Sequence, residues 1–291
     1  MTSLSFDMPS GACDCHTHVF GEAMRFPFTA KRTYTPPQAS VAELVTMQRA
    51  LRLDRVVIVQ PSVYGTDNAC TLDGMRRLGA RARGVAVIDH ATTETELDVM
   101  ARSGMRGVRL NLATAGETDP SAAGARLATM AARLKPRGWH VQIYTQLSVI
   151  AALQKQIAAA PVPIVIDHFG GARGELGVDQ PGFAEFVALV RSGNVYVKLS
   201  GSYRSSERAP DYADMAPLAR ALIEAGPDRM VWGSDWPHPD APHGPDGNPH
   251  AITPFHVIDD AAVLNQLAVW APDAAQRRKI LVDNPARLYG F

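Results

Sequence analysis

Residues 12–20 read ACDCHTHVF, a short apolar start that runs into two histidines one residue apart. The same grammar returns at residues 161–171, PVPIVIDHFGG, and at 229–238, RMVWGSDWPH. Each is a brief stretch rich in Val and Ile or in small apolar residues, with its polar side chains gathered at the C-terminal end. Such runs suit strands buried on both faces of a parallel sheet. Eight of them recur, at 12–19, 55–62, 84–89, 107–112, 140–145, 163–168, 194–200 and 230–235.

Helical patterns fill the gaps. Ser40 with Glu43 and Thr93 with Glu96 are capping-box pairs ahead of SVAELVTMQRAL and ETELDVMARSG, and Gly104 stands where a left-handed C-cap belongs. Leu127, Met130 and Leu134, then Ile150, Leu153 and Ile157, form stripes that would pack on a sheet. Pro136 and Gly138 end the fourth helix. This alternation predicts an α/β chain, a (β/α)8 TIM barrel forming one domain over residues 1–291. An open doubly wound sheet is the competing architecture. The barrel is preferred because polar residues recur at the ends of strands one, two, four, five, six and eight. Only closure brings all those ends to one mouth.

The composition narrows the function. Twenty-nine Lys and Arg balance 29 Asp and Glu for a formal charge of +0, which argues against a nucleic-acid surface. No apolar run has the length of a membrane span, the N-terminus lacks the marks of a secretory signal, and three cysteines make no disulfide framework. The expectation is a cytoplasmic enzyme acting on a small molecule, its oligomeric state unspecified.

Alternation along strand one would set Asp14, His16 and His18 on one face and Cys13, Cys15 and Thr17 on the other, the cysteines towards the helices. Two imidazoles so placed can meet on one metal ion or one substrate oxygen, or be hydrogen-bonded structural groups. His168, placed on the face of Ile164 and Ile166, and Asp235 complete a cluster at the predicted mouth. Burying three imidazoles and a carboxylate without a use for them is costly. Strand five offers His140, Gln142 and Tyr144, the first near the far end and structural, the last near the mouth as a donor to a substrate carboxylate or as a core tyrosine. Arg109 shares a face with Asn111 and needs an anionic partner, either a protein carboxylate or a substrate carboxylate. Arg204, in the loop after strand seven, is a second cation. Lys198 either faces the mouth or pairs with a nearby carboxylate. GGARGELG, from Gly170, lacks the ending of a phosphate loop. The loop from His238 to His250 reads as a lid, or less simply a metal site, with His238 supporting Asp235.

Taken in order, DCHTHVFG, RTYTPP, QPSVYGTDN, GVRLNL, VIDHFGG, KLSGSYR and WGSDWPH resemble the amidohydrolase superfamily, and within it the 2-pyrone-4,6-dicarboxylate lactonases, sugar-lactone lactonases and galactarolactone isomerases. The resemblance implies a barrel hydrolase that opens a carboxylated lactone. Its catalytic cluster would be His16, His18, His168 and Asp235, with Asp235 activating water and the imidazoles polarising the carbonyl. Tyr34, Ser62, Arg109, Tyr144 and Arg204 would hold the substrate. It favours no cofactor, the alternative being one zinc ion on His16, His18, His168 and Asp235. Residues 110–118, LNLATAGET, carry no Lys or Arg where the dicarboxylate lactonases have a second basic residue. SGSYRSSERAPDYAD, from Ser200, leans towards galactarolactone isomerases and sulfomuconolactone hydrolases. A lactone isomerase, a metal-dependent decarboxylase and a sugar-acid binding protein are the other readings.

Overall fold

The computed structural model describes residues 2–114, 116–117, 119–239 and 247–291. Eight strands occur in the predicted places: β1 Cys13–Thr17, β2 Arg55–Val59, β3 Ala82–Ala86, β4 Met105–Asn111, β5 His140–Tyr144, β6 Ile164–Ile166, β7 Val195–Ser200 and β8 Met230–Gly233. All neighbours pair in parallel and in sequence order. The first and last strands meet as well: Asp235 N–H donates to His16 O (2.9 Å) and His18 N–H to Trp236 O (2.8 Å). The sheet is therefore a (β/α)8 barrel and not an open sheet.

Helices begin where the caps said they would. Ser40 and Thr93 each accept from the backbone three residues on while Glu43 and Glu96 reach back, opening helices Val41–Ala50 and Glu94–Arg102. Gly104 and Gly138 take the left-handed conformation, at φ 98° and 64°. The helix-facing side chains of the strands, among them Val56, Ile58, Val108, Ile143, Ile164, Ile166, Val197 and Trp232, join the helices in one large apolar cluster. Inside the barrel a smaller cluster holds Cys13, Cys15, Val57, Val59, Val85, Val165, Tyr196 and Val231, capped at the bottom by Tyr289. The histidine at the start of β5 also lies there, its ring 5.3 Å from that of Tyr289. Gly107 on the neighbouring strand leaves it room, since a Cβ would come within 2.3 Å of the His140 ring.

Two face assignments made from alternation do not hold. In β1, Asp14 pairs with Val56 but Thr17 pairs with Ile58, so three steps on one strand match two on the other. This bulge sets both Cys15 and His16 opposite the inward Val57. Cys13 and Cys15 therefore face the barrel interior, and Asp14 points outward, where its Oδ1 accepts from the backbone N–H of His16 (3.1 Å) and Ser234 (3.0 Å). In β6, Ile164 and Ile166 face the helices and Val165 the interior. The next inward residue is Asp167. His168 still reaches the mouth because its own backbone turns left-handed, at φ 49°, followed by Phe169 at 53° and Gly170 at 68°.

Barrel closure leaves no slack at Gly233, where an added Cβ would lie 2.7 Å from His16 Cβ and 2.8 Å from His16 N. Gly233→Ala should cost roughly 1–3 kcal/mol by overpacking and shift His16. A thermal melt with no loss of stability would show that β1 and β8 are less tightly joined.

Candidate active site

The inward residues of β4 to β7 carry an ionic layer across the barrel. Arg109, Gln142 and Val165 are aligned through successive strand pairs, as are Lys198 and Val231. Asp167 sits above Val165, and its Oδ2 accepts from Arg109 Nε (3.1 Å) and Gln142 Nε2 (3.0 Å). Lys198 is fully buried. Its Nζ donates to Gln142 Oε1 (2.7 Å), lies 3.6 Å from Asp167 Oδ1 and contacts His16 Nδ1 at 3.3 Å. Burial alone would raise the Asp167 carboxyl, but His16, Lys198 and Arg109 outweigh it and hold it well below the usual carboxylate range. Asp167 is thus the protein carboxylate that Arg109 requires. Alternation counted from His168 hid it; counted from Val165 it would have been found.

Above this layer lies Asp235, also fully buried and left-handed at φ 66°. Tyr203 Oη and Arg204 Nε both donate to its Oδ2, each at 2.7 Å. Its Oδ1 faces His16 Nε2 at 3.6 Å and His18 Nε2 at 3.5 Å, while His168 Nε2 is 4.0 Å from Oδ2. Burial would raise this carboxyl too; Arg204 first, then the surrounding imidazoles, press it well below its ordinary value. It is ionised at neutral pH. Tyr203, unremarked in the sequence, therefore fixes the same oxygen as Arg204.

The imidazoles differ in what they offer. His18 Nδ1 is 2.8 Å from Val59 O, and a carbonyl only accepts, so the proton is on Nδ1 and Nε2 presents a lone pair. Burial lowers the His18 pKa, which keeps the ring neutral. His18 is consequently an acceptor beside Asp235 and not a carbonyl-polarising donor. His168 Nδ1 is 2.9 Å from Ser200 Oγ; if that hydroxyl donates, Nε2–H faces the site. His16 lies beneath the cavity wall, in contact with the other two rings at centroid distances of 5.0 and 4.6 Å.

A cavity of about 190 Å³ opens over the cluster, and His18, His168, Asp235, Arg109, Tyr144 and Arg204 line it with Tyr34 and Ser62. Eight of the nine sequence-derived site residues are on this wall, and His16 is the exception. The Tyr34 hydroxyl, beside Ser62, is raised to about 12 by burial. Tyr144 stacks beneath the Arg109 guanidinium at 5.2 Å and edges His168 at 5.4 Å. Among the described residues, the Nη atoms of Arg109 and Nη1 of Arg204 have no protein partner, since Arg204 Nη2 donates to Pro239 O (2.8 Å). Among the described residues of the wall, two guanidiniums stand against one carboxylate.

His238 supports Asp235 through the backbone, its N–H donating to Asp235 O at 2.8 Å; its ring goes instead to Asp260, with Nε2 3.1 Å from Oδ1. The greater part of the predicted lid or metal loop, residues 240–246, lies outside the described residues.

A family model described as amidohydrolase matches residues 13–291. The chain belongs to the amidohydrolase family. This amidohydrolase is 37% identical to a 4-sulfomuconolactone hydrolase of Hydrogenophaga intermedia, over 99% of the chain and 91% of that protein. It is 36% identical to a 2-pyrone-4,6-dicarboxylate hydrolase of Comamonas testosteroni, over 98% of the chain and 92% of that protein. Among solved structures, a putative 2-pyrone-4,6-dicarboxylic acid hydrolase from Pseudomonas putida superposes with a TM-score of 0.80 at 33% identity, over 97% of the chain and 98% of that protein. No described helix is long and apolar enough to cross a membrane.

The amidohydrolase site has donors for one divalent ion. His16, His18 and Asp235 offer one ligand atom each, all within 4.8 Å of one another, and His16, Asp167 and His168 form a second such group. His16 Nε2 and Asp235 Oδ1 are buried without a hydrogen-bond partner among the described residues. In spacing and residue type the His16, His18 and Asp235 set matches such an ion.

Burial also holds the histidines neutral, lowering His140 to about 3 and His168 to about 4, with His16 and His18 lowered as well. An unfolded histidine takes up its proton near 6.5. Between that value and the folded ones the unfolded chain binds more protons, so stability is lost as the pH falls through this window. Asp14, raised by burial to about 7, acts with the opposite sign, one group against four. The urea midpoint should be lower at about pH 5 than at about pH 7.5. An unchanged or higher midpoint at acid pH would mean that these rings are not buried neutral.

Proposed function

We propose that this enzyme hydrolyses the ester bond of a lactone bearing a carboxylate or similar anionic group. One observation carries the reading: an ionised Asp235 has one oxygen tied down by Arg204 and Tyr203, while the other shares the base of the cavity with the lone pair of His18 Nε2. Asp235 Oδ1 and His18 Nε2 both accept there, and a water that donates to both is oriented with its own lone pair towards the cavity. The hydrolase names of the two relatives, each acting on an anionic lactone, support the same chemistry.

In this mechanism Arg109 holds the substrate anion through its Nη atoms, with Tyr144 packed under the guanidinium and Tyr34 and Ser62 also lining the cavity. Asp235 takes a proton from water as the water oxygen adds to the lactone carbonyl. His168 and the guanidinium of Arg204 stabilise the developing oxyanion. The ring carbon–oxygen bond then breaks, and the proton held by Asp235 passes to the departing oxygen. The product is an open chain with a new carboxylate.

A divalent ion on His16, His18 and Asp235 would supply polarisation of the carbonyl. The proposed steps do not need it. Asp167 and Asp235 are already matched by Arg204, Arg109 and Lys198, so an ion would add two charges to a cluster that is balanced without it. The same reading treats the molecule as one cytoplasmic domain with no nucleic-acid partner.

Asp235→Asn should lower kcat by about 100-fold or more with little change in KM, since the amide keeps the shape but not the base. Steady-state kinetics on a panel of carboxylated pyrones, muconolactones and aldarolactones, followed by ring-opened product, tests both substrate class and role. Near-normal turnover by the variant would reject Asp235 as the base, and an isomerised closed ring would replace hydrolysis by ring transfer. Exhaustive dialysis against a chelator should leave activity intact; abolished activity restored by zinc would contradict the metal-free steps.

A further inference from the structure

The mechanism leaves one buried cation without a duty. Lys198 lies wholly inside the barrel, a position that costs several kcal/mol for an ammonium that is not matched, yet it is out of reach of the cavity. Its neighbours are Gln142 Oε1 at 2.7 Å, Asp167 Oδ1 at 3.6 Å and His16 Nδ1 at 3.3 Å. Paired with the Asp167 carboxylate, Nζ is an ammonium, and an ammonium has nothing but protons to offer the third.

That decides which nitrogen of His16 carries hydrogen. Asp167 Oδ1 is also 3.3 Å from Nδ1, but it makes no hydrogen bond among the described residues. Lys198 Nζ is hydrogen-bonded to Nδ1 at 3.3 Å. With Nδ1 accepting, the proton of a neutral His16 is on Nε2, which faces Asp235 Oδ1. His18 has the reverse arrangement, because Val59 O demands Nδ1–H. The two histidines of the HTH triplet thus present opposite faces to one carboxylate oxygen, one a proton and one a lone pair.

We propose that Lys198 is a positioning residue that holds His16 as the Nε2–H tautomer, so that the histidine pair presents one proton and one lone pair to Asp235 and does not act as a pair of metal ligands. A protonated Nε2 cannot ligate an ion. For His16 to join His18 and Asp235 around one, its proton must move to Nδ1, towards Lys198, which has no lone pair to receive it. Spacing alone therefore makes this site look like a metal site, while the residue beneath it opposes the required tautomer. The inference depends on the geometry of the cluster and not on the identity of the substrate, so a failed lactone screen leaves it standing.

Long-range ¹H–¹⁵N spectra of the ¹⁵N-histidine protein, with His16 assigned by its loss in His16→Gln, should show His16 protonated on Nε2 and His18 on Nδ1. Lys198→Met removes the donor and frees Nδ1 to carry the proton. After loading with zinc and exhaustive dialysis it should retain close to one ion per chain, against at least about tenfold less in the wild type. Lys198→Gln, whose amide can still donate to Nδ1, should remain low in zinc. His16 found with Nδ1–H in the wild type would overturn the proposal, as would a wild type that retains zinc as tightly as Lys198→Met. Should both variants fail to fold, the wild-type spectrum decides alone.

Discussion

Asp167 is held between Arg109 Nε and the Lys198 ammonium, and nearly everything polar in the barrel is arranged around that buried ion cluster. Removing the carboxylate would leave two cations in an apolar enclosure, a penalty of roughly 3–5 kcal/mol in comparable cases. Arg109 spends its Nε on this anchor, and its Nη atoms are thereby aimed at the cavity. Lys198, paired from the same side, meets the underside of His16. One carboxylate at the end of β6 thus orients both the substrate-facing guanidinium and the lowest imidazole of the site.

The second carboxylate shows the complementary arrangement. Asp235 is tied through a single oxygen by Tyr203 and Arg204, so it is rigid, ionised and still open on its other oxygen. A base with both oxygens saturated would be inert, and one with neither fixed would be mobile. The left-handed backbone at Asp235 and at His168 brings these groups inward after their strands have ended. Such conformations cost of order 1–3 kcal/mol for residues other than glycine, and their concentration at the mouth marks where the fold gives up stability for position.

Much of this was legible before any coordinates. Short Val- and Ile-rich runs, two capping boxes and the helix-ending glycines at 104 and 138 express local preferences, and local preferences survive into the structure. The convergence of His16, His18, His168 and Asp235 was also readable, because closure of the barrel brings all strand ends together. What could not be read was parity. ACDCHTH alternates equally well with either face inward, and only the pairing of Thr17 with Ile58 reveals the extra residue that turns both Cys15 and His16 into the interior. In PIVIDHF, alternation counted back from the histidine sets Asp167 on the wrong face, because the left-handed turn at His168 breaks the period of the strand. Tyr34 and Ser62 lie in segments without a physical signature of their own, and the family resemblance alone pointed to them.

The central claim is that an anionic lactone lies with its charged group on Arg109 and its carbonyl over Asp235. A crystal structure with a non-hydrolysable carboxylated lactone analogue measures this directly. The account predicts the analogue's carboxylate on the Nη atoms of Arg109 and its carbonyl carbon within about 3.5 Å of a water held by Asp235 and His18. An analogue bound outside this cavity, or with its carbonyl turned away from Asp235, would contradict it.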